Sequence, residues 1–274
     1  MMYRSERLRT LRASGGLLKL RAIISDIHSN FEALTAVLAD ARSQGANEFF
    51  CLGDVVGYGP NPRECLAEVM NFNMVLQGNH DHGALLEPEG FNPSAERAIF
   101  WTRDQIEPGP SERPERLAPW RYLQDRKPFF EQHEEGILYV HGSARNPLNE
   151  YVFPEDIYNN RKMEQIFARV NRICFQGHTH VPGVFIELAP GGPYDFRSPE
   201  ELGYSYAIDE RKILVNVGSV GQPRDSNPHS CYALLNGSTV TYRRVPYDAE
   251  AVRQKIYRIP ELENFLGDRL LKGR

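Results

Sequence analysis

The sequence predicts an α/β fold of the mixed, α+β kind, with a parallel sheet core in the first half, antiparallel strands in the second and helices outside. Three observations carry this. Short apolar runs at 20–25, 47–52 and 74–76 are separated by two segments with helical spacing and helix-start signals. Strands linked through helices become parallel neighbours with right-handed crossovers. From residue 184 onward the apolar residues fall in short alternating runs, the pattern of antiparallel strands. With 274 residues, 41% hydrophobic and 25% charged, the chain has an ordinary globular composition and can bury a sizeable core.

Residues 1–19 hold Arg4, Arg7, Arg9 and Arg12 among Leu8 and Leu11, then Ser14-Gly15-Gly16. The stretch lacks the unbroken apolar centre and small-residue cleavage site of a secretory leader, and is expected to be a flexible extension. One domain is expected over 20–258, with a tail at 259–274. Leu20–Ser25 is the first strand. Ser29 and Glu32 have the spacing of a capping box, and Phe31, Leu34, Val37 and Leu38 form the stripe of the helix that follows. Gly45 supplies its stop, and Asn47–Leu52 is the second strand. Asn61-Pro62 starts a second helix with proline at its first position, turning Leu66, Val69 and Met70 inward. Met74–Leu76 is the third strand. Residues 82–135 carry Pro88, Pro93, Pro108, Pro110, Pro114, Pro119 and Pro128, with helical patches at Ala95–Gln105 and Glu115–Gln124. That stretch reads as an insertion over the sheet, because strand Ile137–Val140 returns at once. A shorter helical insertion at 151–172 precedes strand Ile173–Gln176. Val184–Leu188, Tyr204–Ile208, Ile213–Val217, Cys231–Leu235 and Thr239–Val245 complete the strands, and a last helix starts at Asp248.

The net charge of −4 argues against a general nucleic-acid binder, so no stable nucleic-acid partner is expected. No apolar run approaches the ~20 residues that span a bilayer. Cys51, Cys65, Cys174 and Cys231 form no CxxC pair, and reduced, buried thiols in a cytoplasmic protein are expected.

Five clusters of ligand-type side chains stand just after strand-like runs: Asp26-Ile27-His28, Gly53-Asp54, Gly78-Asn79-His80-Asp81, His141-Gly142-Ser143 and Gly177-His178-Thr179-His180. Polar groups at the carboxyl edge of a sheet are placed to meet a ligand. Of eight histidines, His28, His80, His141, His178 and His180 fall in these turns, which is why the clusters are read together. The Asp-x-His and His-x-His spacings bring each pair to one side of a strand end, since alternate residues point the same way. Carboxylates and neutral imidazoles ligate divalent transition metals. Two such ions ~3.5–4 Å apart need a shared anion to offset their repulsion, and Asp54 is the natural bridge. Asn79 offers a neutral carbonyl oxygen, and His141 fills the remaining position. The expected cofactor is therefore a pair of divalent metal ions.

This order of motifs, over about residues 21–225, resembles the calcineurin-like metallophosphoesterases. His141-Gly-Ser-Ala-Arg-Asn-Pro-Leu-Asn-Glu-Tyr151 and Asn216-Val-Gly-Ser-Val-Gly-Gln-Pro-Arg224 resemble its small prokaryotic phosphodiesterase branch. The resemblance implies one metal held by Asp26, His28, Asp54 and His180, and another by Asp54, Asn79, His141 and His178. It also implies a four-layer αββα sandwich, two mixed β-sheets flanked by helices.

A metal pair lowers the pKa of a bridging water, so in-line attack of hydroxide on phosphorus is expected. His80 is then the acid for the leaving oxygen, with Asp81 orienting or stabilising its imidazolium. Arg224 and Tyr58 are expected to touch substrate, Arg224 by pairing with phosphate. Protein Ser/Thr phosphatases of this superfamily carry Gly-Asp-x-x-Asp-Arg-Gly, whereas here the run is Gly53-Asp-Val-Val-Gly-Tyr58-Gly, without that arginine. Phosphodiesters are therefore ranked ahead of phosphomonoesters, phosphoproteins and dinucleoside polyphosphates. The expected partner is a small phosphoester, with a nucleotide among the candidates because Trp101, Trp120, Tyr122, Tyr151, Phe153 and Tyr158 offer rings on which a base could stack. A non-catalytic scaffold of the same fold is the distant alternative, disfavoured because every ligand position is filled. Manganese is the expected ion, and zinc, iron, cobalt and nickel suit the same donors.

Overall fold

The computed structural model describes residues 19–109 and 114–274; the expected N-terminal extension, but for its last residue, lies outside them. Twelve strands form two six-stranded sheets among the described residues. The first sheet contains β1 (Leu20–Ile24), β2 (Glu48–Cys51), β3 (Met74–Val75), β9 (Ser205–Ala207), β11 (Ser230–Asn236) and β12 (Thr239–Val245), in the order β3-β2-β1-β11-β12-β9. The second contains β4 (Phe129–Gln132), β5 (Ile137–Val140), β6 (Ile173–Gln176), β7 (Gly183–Glu187), β8 (Tyr194–Arg197) and β10 (Ile213–Asn216), in the order β4-β5-β6-β10-β7-β8.

Both sheets are mixed. β1 runs parallel to β2 and β2 to β3, while β11 joins β1 antiparallel. In the second sheet β5, β6 and β10 are parallel, while β4 joins β5, β7 joins β10 and β8 joins β7 antiparallel. The expected split into a parallel first half and an antiparallel second half is thereby corrected. Each sheet has its own parallel centre, because β10 leaves the antiparallel series to pair with β6.

Alternation along the strands assigns the layers. Ile23, Phe50, Tyr139, Phe175, Val215 and Ala233 pack into one buried cluster drawn from both sheets. Their neighbours Ala22, Ile24 and Cys51 face outward to α1 (Phe31–Ser43) and α2 (Pro62–Val69). Cys174 and Leu214 face the opposite way, against Met163, Ile166 and Phe167 of α6 (Asn160–Phe167). The result is the four-layer αββα sandwich.

Between β3 and β4 the chain forms α3 (Asn79–Leu85), α4 (Pro93–Ile106) and α5 (Pro114–Gln124). The last part of the expected 82–135 insertion is thus β4, an edge strand of the second sheet. A 3₁₀ turn at Pro154–Tyr158 precedes α6. After α7 (Ala249–Tyr257) come α8 (Asn264–Asp268) and a 3₁₀ turn at Arg269–Lys272. Residues 259–274 are therefore not a loose tail. Leu262, Leu266 and Leu270 pack with Val252, Ile256, Ala95 and Tyr58 in a fourth core cluster. All four cysteines are free and buried. No helix of the described residues is long and apolar enough to cross a membrane.

Parallel strands finish level. Ile24 lies opposite Cys51, Cys51 opposite Val75, and Gln176 opposite Asn216. The loops that leave β1, β2, β3, β5, β6 and β10 consequently gather at one rim, and the five motifs lie in them, except that Asn79, His80 and Asp81 form the first turn of α3.

Candidate metal centre

The loops at this rim are tied backbone to backbone. Asp26 N donates to Gly53 O (3.0 Å), His28 N to Asp54 O (2.9 Å), and Gly177 N to His141 O (3.0 Å). Val220 N and Gly221 N donate back to Ser25 O and Asp26 O, which joins the loop after β10 to the loop after β1. Asp26, His28, Asp54, His178 and His180 all have positive φ, between 48° and 67°. Left-handed backbone at a non-glycine residue costs on the order of 1–3 kcal/mol and persists where the surroundings over-determine it. Five such residues in one buried patch mark a site whose geometry outranks local comfort.

The seven expected ligand residues meet as two donor sets. In one, His180 Nε2 lies 3.2 Å from Asp26 Oδ1 and 3.2 Å from His28 Nε2. In the other, His141 Nε2 lies 3.0 Å from Asn79 Oδ1 and 3.1 Å from His178 Nδ1. Asp54 Oδ2 stands between them, 3.7 Å from His28 Nε2 and 3.5 Å from His141 Nε2.

The far nitrogen of each ring explains its aim. His28 Nδ1 faces Val56 O (3.3 Å), His141 Nδ1 faces Leu52 O (3.1 Å), and His180 Nδ1 faces Gln222 O (2.6 Å). His178 is turned the other way, with Nε2 towards Asn149 O (3.3 Å). A carbonyl accepts only from N–H, so these partners fix the tautomers and leave a bare lone pair on every nitrogen that faces inward. Asp26 Oδ1 is likewise buried without a hydrogen-bond donor. Lone pairs converging at 3.0–3.2 Å repel one another unless a cation lies among them. Burial drives all four imidazoles towards the neutral form, His178 down to about 2, so protonation is not the relief. The donor set fits two divalent cations.

The carboxylates point the same way. Burial pushes the Asp54 carboxyl well above its usual range, and the charges of Asp26 and Asp81 add to this. Burial would raise Asp26 also, but the His180 ring beside it outweighs this and holds the carboxyl low.

Other expected residues are placed differently. The His80 ring lines the cleft above the donor sets, packed against Tyr58 (centroids 4.4 Å) and Phe91 (4.8 Å), with Nδ1 unpartnered. It also falls within ligand range of His28 and Asp54. Asp81 does not hold the His80 ring: Oδ1 accepts from Val56 N (3.0 Å) and Oδ2 from Gly78 N (2.9 Å). Both oxygens are spent on backbone, so Asp81 staples the Asp54 loop to the start of α3. Burial raises its carboxyl to about 7 against those hydrogen bonds. The Arg224 guanidinium stands 5.9 Å from the Tyr58 ring centroid and donates to Gln222 Oε1, with its Nε buried and unpartnered. Among the aromatic residues considered for stacking, Trp101, Trp120 and Tyr122 pack onto the cores, whereas Tyr151 lines the cleft.

Gln222, Asn149 and Asn216 carry positioning work that the motifs do not reveal. Gln222 and Asn149 act through backbone carbonyls, which leave no trace in side-chain identity. Asn216 Nδ2 donates to Gly177 O and Thr179 Oγ1, both at 2.8 Å, and holds the loop of His178 and His180 in shape. Its signal was the Asn216-to-Arg224 run itself.

A curated relative, an uncharacterized protein of Methanocaldococcus jannaschii, is 35% identical over 266 residues, covering 92% of this chain and 98% of the relative. Among solved structures, a metallophosphoesterase from Sphaerobacter thermophilus is 32% identical with a TM-score of 0.78, covering 94% of this chain and 100% of that one. A hypothetical protein from Pyrococcus horikoshii OT3 is similar in fold, at 19% identity and a TM-score of 0.68, over 93% of this chain and 98% of that one. The profile of the calcineurin-like phosphoesterase superfamily domain matches residues 20–239, which spans every strand of both sheets up to the start of β12, and the chain belongs to that superfamily.

Proposed function

We propose that this protein hydrolyses small phosphodiesters with a pair of divalent cations, one held by Asp26, His28, Asp54 and His180 and the other by Asp54, Asn79, His141 and His178. The observation that carries the reading is the position of Asp54 Oδ2, 3.7 Å from one donor set and 3.5 Å from the other. A bound pair would acidify water and polarise the phosphoryl oxygens. Manganese is the ion in this reading, and a cytoplasmic setting agrees with the four free thiols.

The chain's own residues supply the rest. Tyr58 and Phe91 wall the cleft around His80; burial keeps the ring neutral in the empty site, and an anionic phosphoester beside it would let the ring take up the proton that it gives to the leaving oxygen. Asp81 positions His80 through the backbone, by holding the start of α3 against the Asp54 loop. The unpartnered Arg224 Nε pairs with a phosphoryl oxygen, and Tyr58 supports that guanidinium from below. Diesters are favoured because Tyr58 stands where protein phosphatases of the superfamily carry arginine.

The test is turnover of bis-p-nitrophenyl phosphate and p-nitrophenyl phosphate by protein reconstituted with Mn²⁺. The expected result is Mn²⁺-dependent hydrolysis of both, with the larger kcat/KM for the diester. A larger value for the monoester would overturn the diester preference, and indifference of either activity to chelation would overturn the metal pair.

A further inference from the structure

Tyr151, Val152 and Phe153 form the rim of the cleft beside His178. Val152 is 2% exposed and joins the cluster of Met163, Ile166 and Phe167 beneath. In extended chain the residues on either side point the opposite way, and Tyr151 and Phe153 remain 42% and 43% exposed. Their rings stack on each other at 5.5 Å and 10°, and Tyr151 stacks on His178 at 3.8 Å and 16°. Three nearly parallel rings thus lead from a candidate metal ligand out to solvent.

The segment is fixed in advance of any ligand. Lys162 Nζ donates to Tyr151 O (2.7 Å), Phe153 N donates to Asp156 Oδ2 (2.8 Å), and Lys162 pairs with Asp156 at 2.6 Å. Phe153 takes no part in the core below it, so packing does not account for a rigid, half-exposed aromatic residue at the mouth of the site. The neighbouring recess, of about 260 Å³, is lined by Glu87 and Glu89 together with Asn79, His82 and Phe91. Carboxylates there oppose a second phosphate, whereas a neutral group is tolerated.

We propose that Tyr151 and Phe153 are a stacking platform for an uncharged heterocyclic ring, and that the substrate is a nucleoside phosphodiester whose phosphorus sits at the cation pair. This rests on the phosphodiesterase reading above and deepens it. The ladder places Phe153 one ring beyond Tyr151 on the side away from His178, where a base held off the ester by its sugar would meet it. Stacking on an aromatic face tolerates any base, so the platform selects nucleosides without selecting among them.

The test compares two diesters that share a leaving group, the p-nitrophenyl ester of thymidine 5′-monophosphate and methyl p-nitrophenyl phosphate, with Mn²⁺-loaded protein. The wild type is expected to favour the nucleoside ester by about tenfold or more in kcat/KM. Phe153→Leu is expected to lose most of that preference, and Tyr158→Leu, which alters an 84% exposed ring of the same segment, to keep it. Equal kcat/KM for the two esters in the wild type, or a preference that survives Phe153→Leu, would overturn the platform and leave the phosphodiesterase reading standing. Failure of both esters would overturn the phosphodiesterase reading. Calorimetric binding of thymidine 5′-monophosphate then decides the platform: at least fivefold weaker binding in Phe153→Leu retains it, and unchanged or absent binding overturns it.

Discussion

Among the described residues Asp54 is the one carboxylate facing both donor sets, and His80 is the one imidazole in the cleft whose ring nitrogen Nδ1 is buried without a partner. The two residues therefore separate metal holding from proton transfer. Asp54→Asn preserves shape and removes the shared charge, and elemental analysis of the reconstituted protein is expected to find less than half the wild-type metal. His80→Ala is expected to keep wild-type metal content, which also excludes it as a ligand despite its reach to His28 and Asp54. Its turnover should fall about 10²–10⁴-fold for an alkyl leaving group, the range of a lost general acid. For p-nitrophenolate, which departs without a proton, the loss should be far smaller. Equal losses for the two leaving groups would remove His80 as the acid.

At the scale of elements, the strands and helices position the site through their ends. Asn30 caps α1 by accepting from Ala33 N (3.1 Å), and its Nδ2 donates to Gly221 O (2.8 Å). Asn30→Ala removes both bonds and is expected to lower stability by about 1–2 kcal/mol in urea unfolding. Gly53 has φ +103°, and an added Cβ would lie 2.5 Å from Gly78 N. Gly53→Ala should cost more, at least about 2 kcal/mol, because the loop of Asp54 cannot move off the loop of Asn79 without parting the donor sets. These residues also show what the sequence made legible. The ends of β5, β6 and β12 were readable from apolar runs alone. The cap of α1 was not: Ser29 has the capping-box spacing, yet its N–H is held by Val55 O at φ 54°, so the helix starts one residue later on Asn30. α3 was hidden because Gly78-Asn-His-Asp reads as a turn, and β4 because prolines surround it. The four-residue spacing of Leu262, Leu266 and Leu270 begins before α8 and ends in the 3₁₀ turn after it, so it marks no single helix.

At the scale of the whole molecule, two sheets from distant parts of the chain bring parallel strand ends to one rim, and the fold thereby buries five imidazoles and three carboxylates together. The motifs named these residues in advance; their division into two sets about Asp54 came from the resemblance, since lone-pair directions depend on backbone carbonyls contributed by Val56, Leu52, Asn149 and Gln222. Bound cations would stabilise this arrangement by mass action. A ligand at 100 times its Kd adds about 2.7 kcal/mol, so chelation is expected to lower the Tm by about 5 °C or more. The chelated protein should also be acid-sensitive, with a definite sign. His28, His80, His141, His178 and His180 have lowered pKa values, so below about pH 6.5 the unfolded chain binds their protons and the folded chain does not. Their contribution is lost as pH falls. Asp54 and Asp81, raised, contribute oppositely: their stabilisation is present at low pH and fades as pH rises, through about 7 for Asp81. Between pH 7 and pH 5 the imidazoles outnumber the carboxyls, so the unfolding free energy of chelated protein should fall with pH, by up to about 1.4 kcal/mol per unit for each proton of difference, and its Tm should fall with it. Loaded protein should hold a flatter Tm until protons displace the metal. A chelated Tm that rises towards pH 5 would mean that the buried carboxyls, not the imidazoles, govern the empty site.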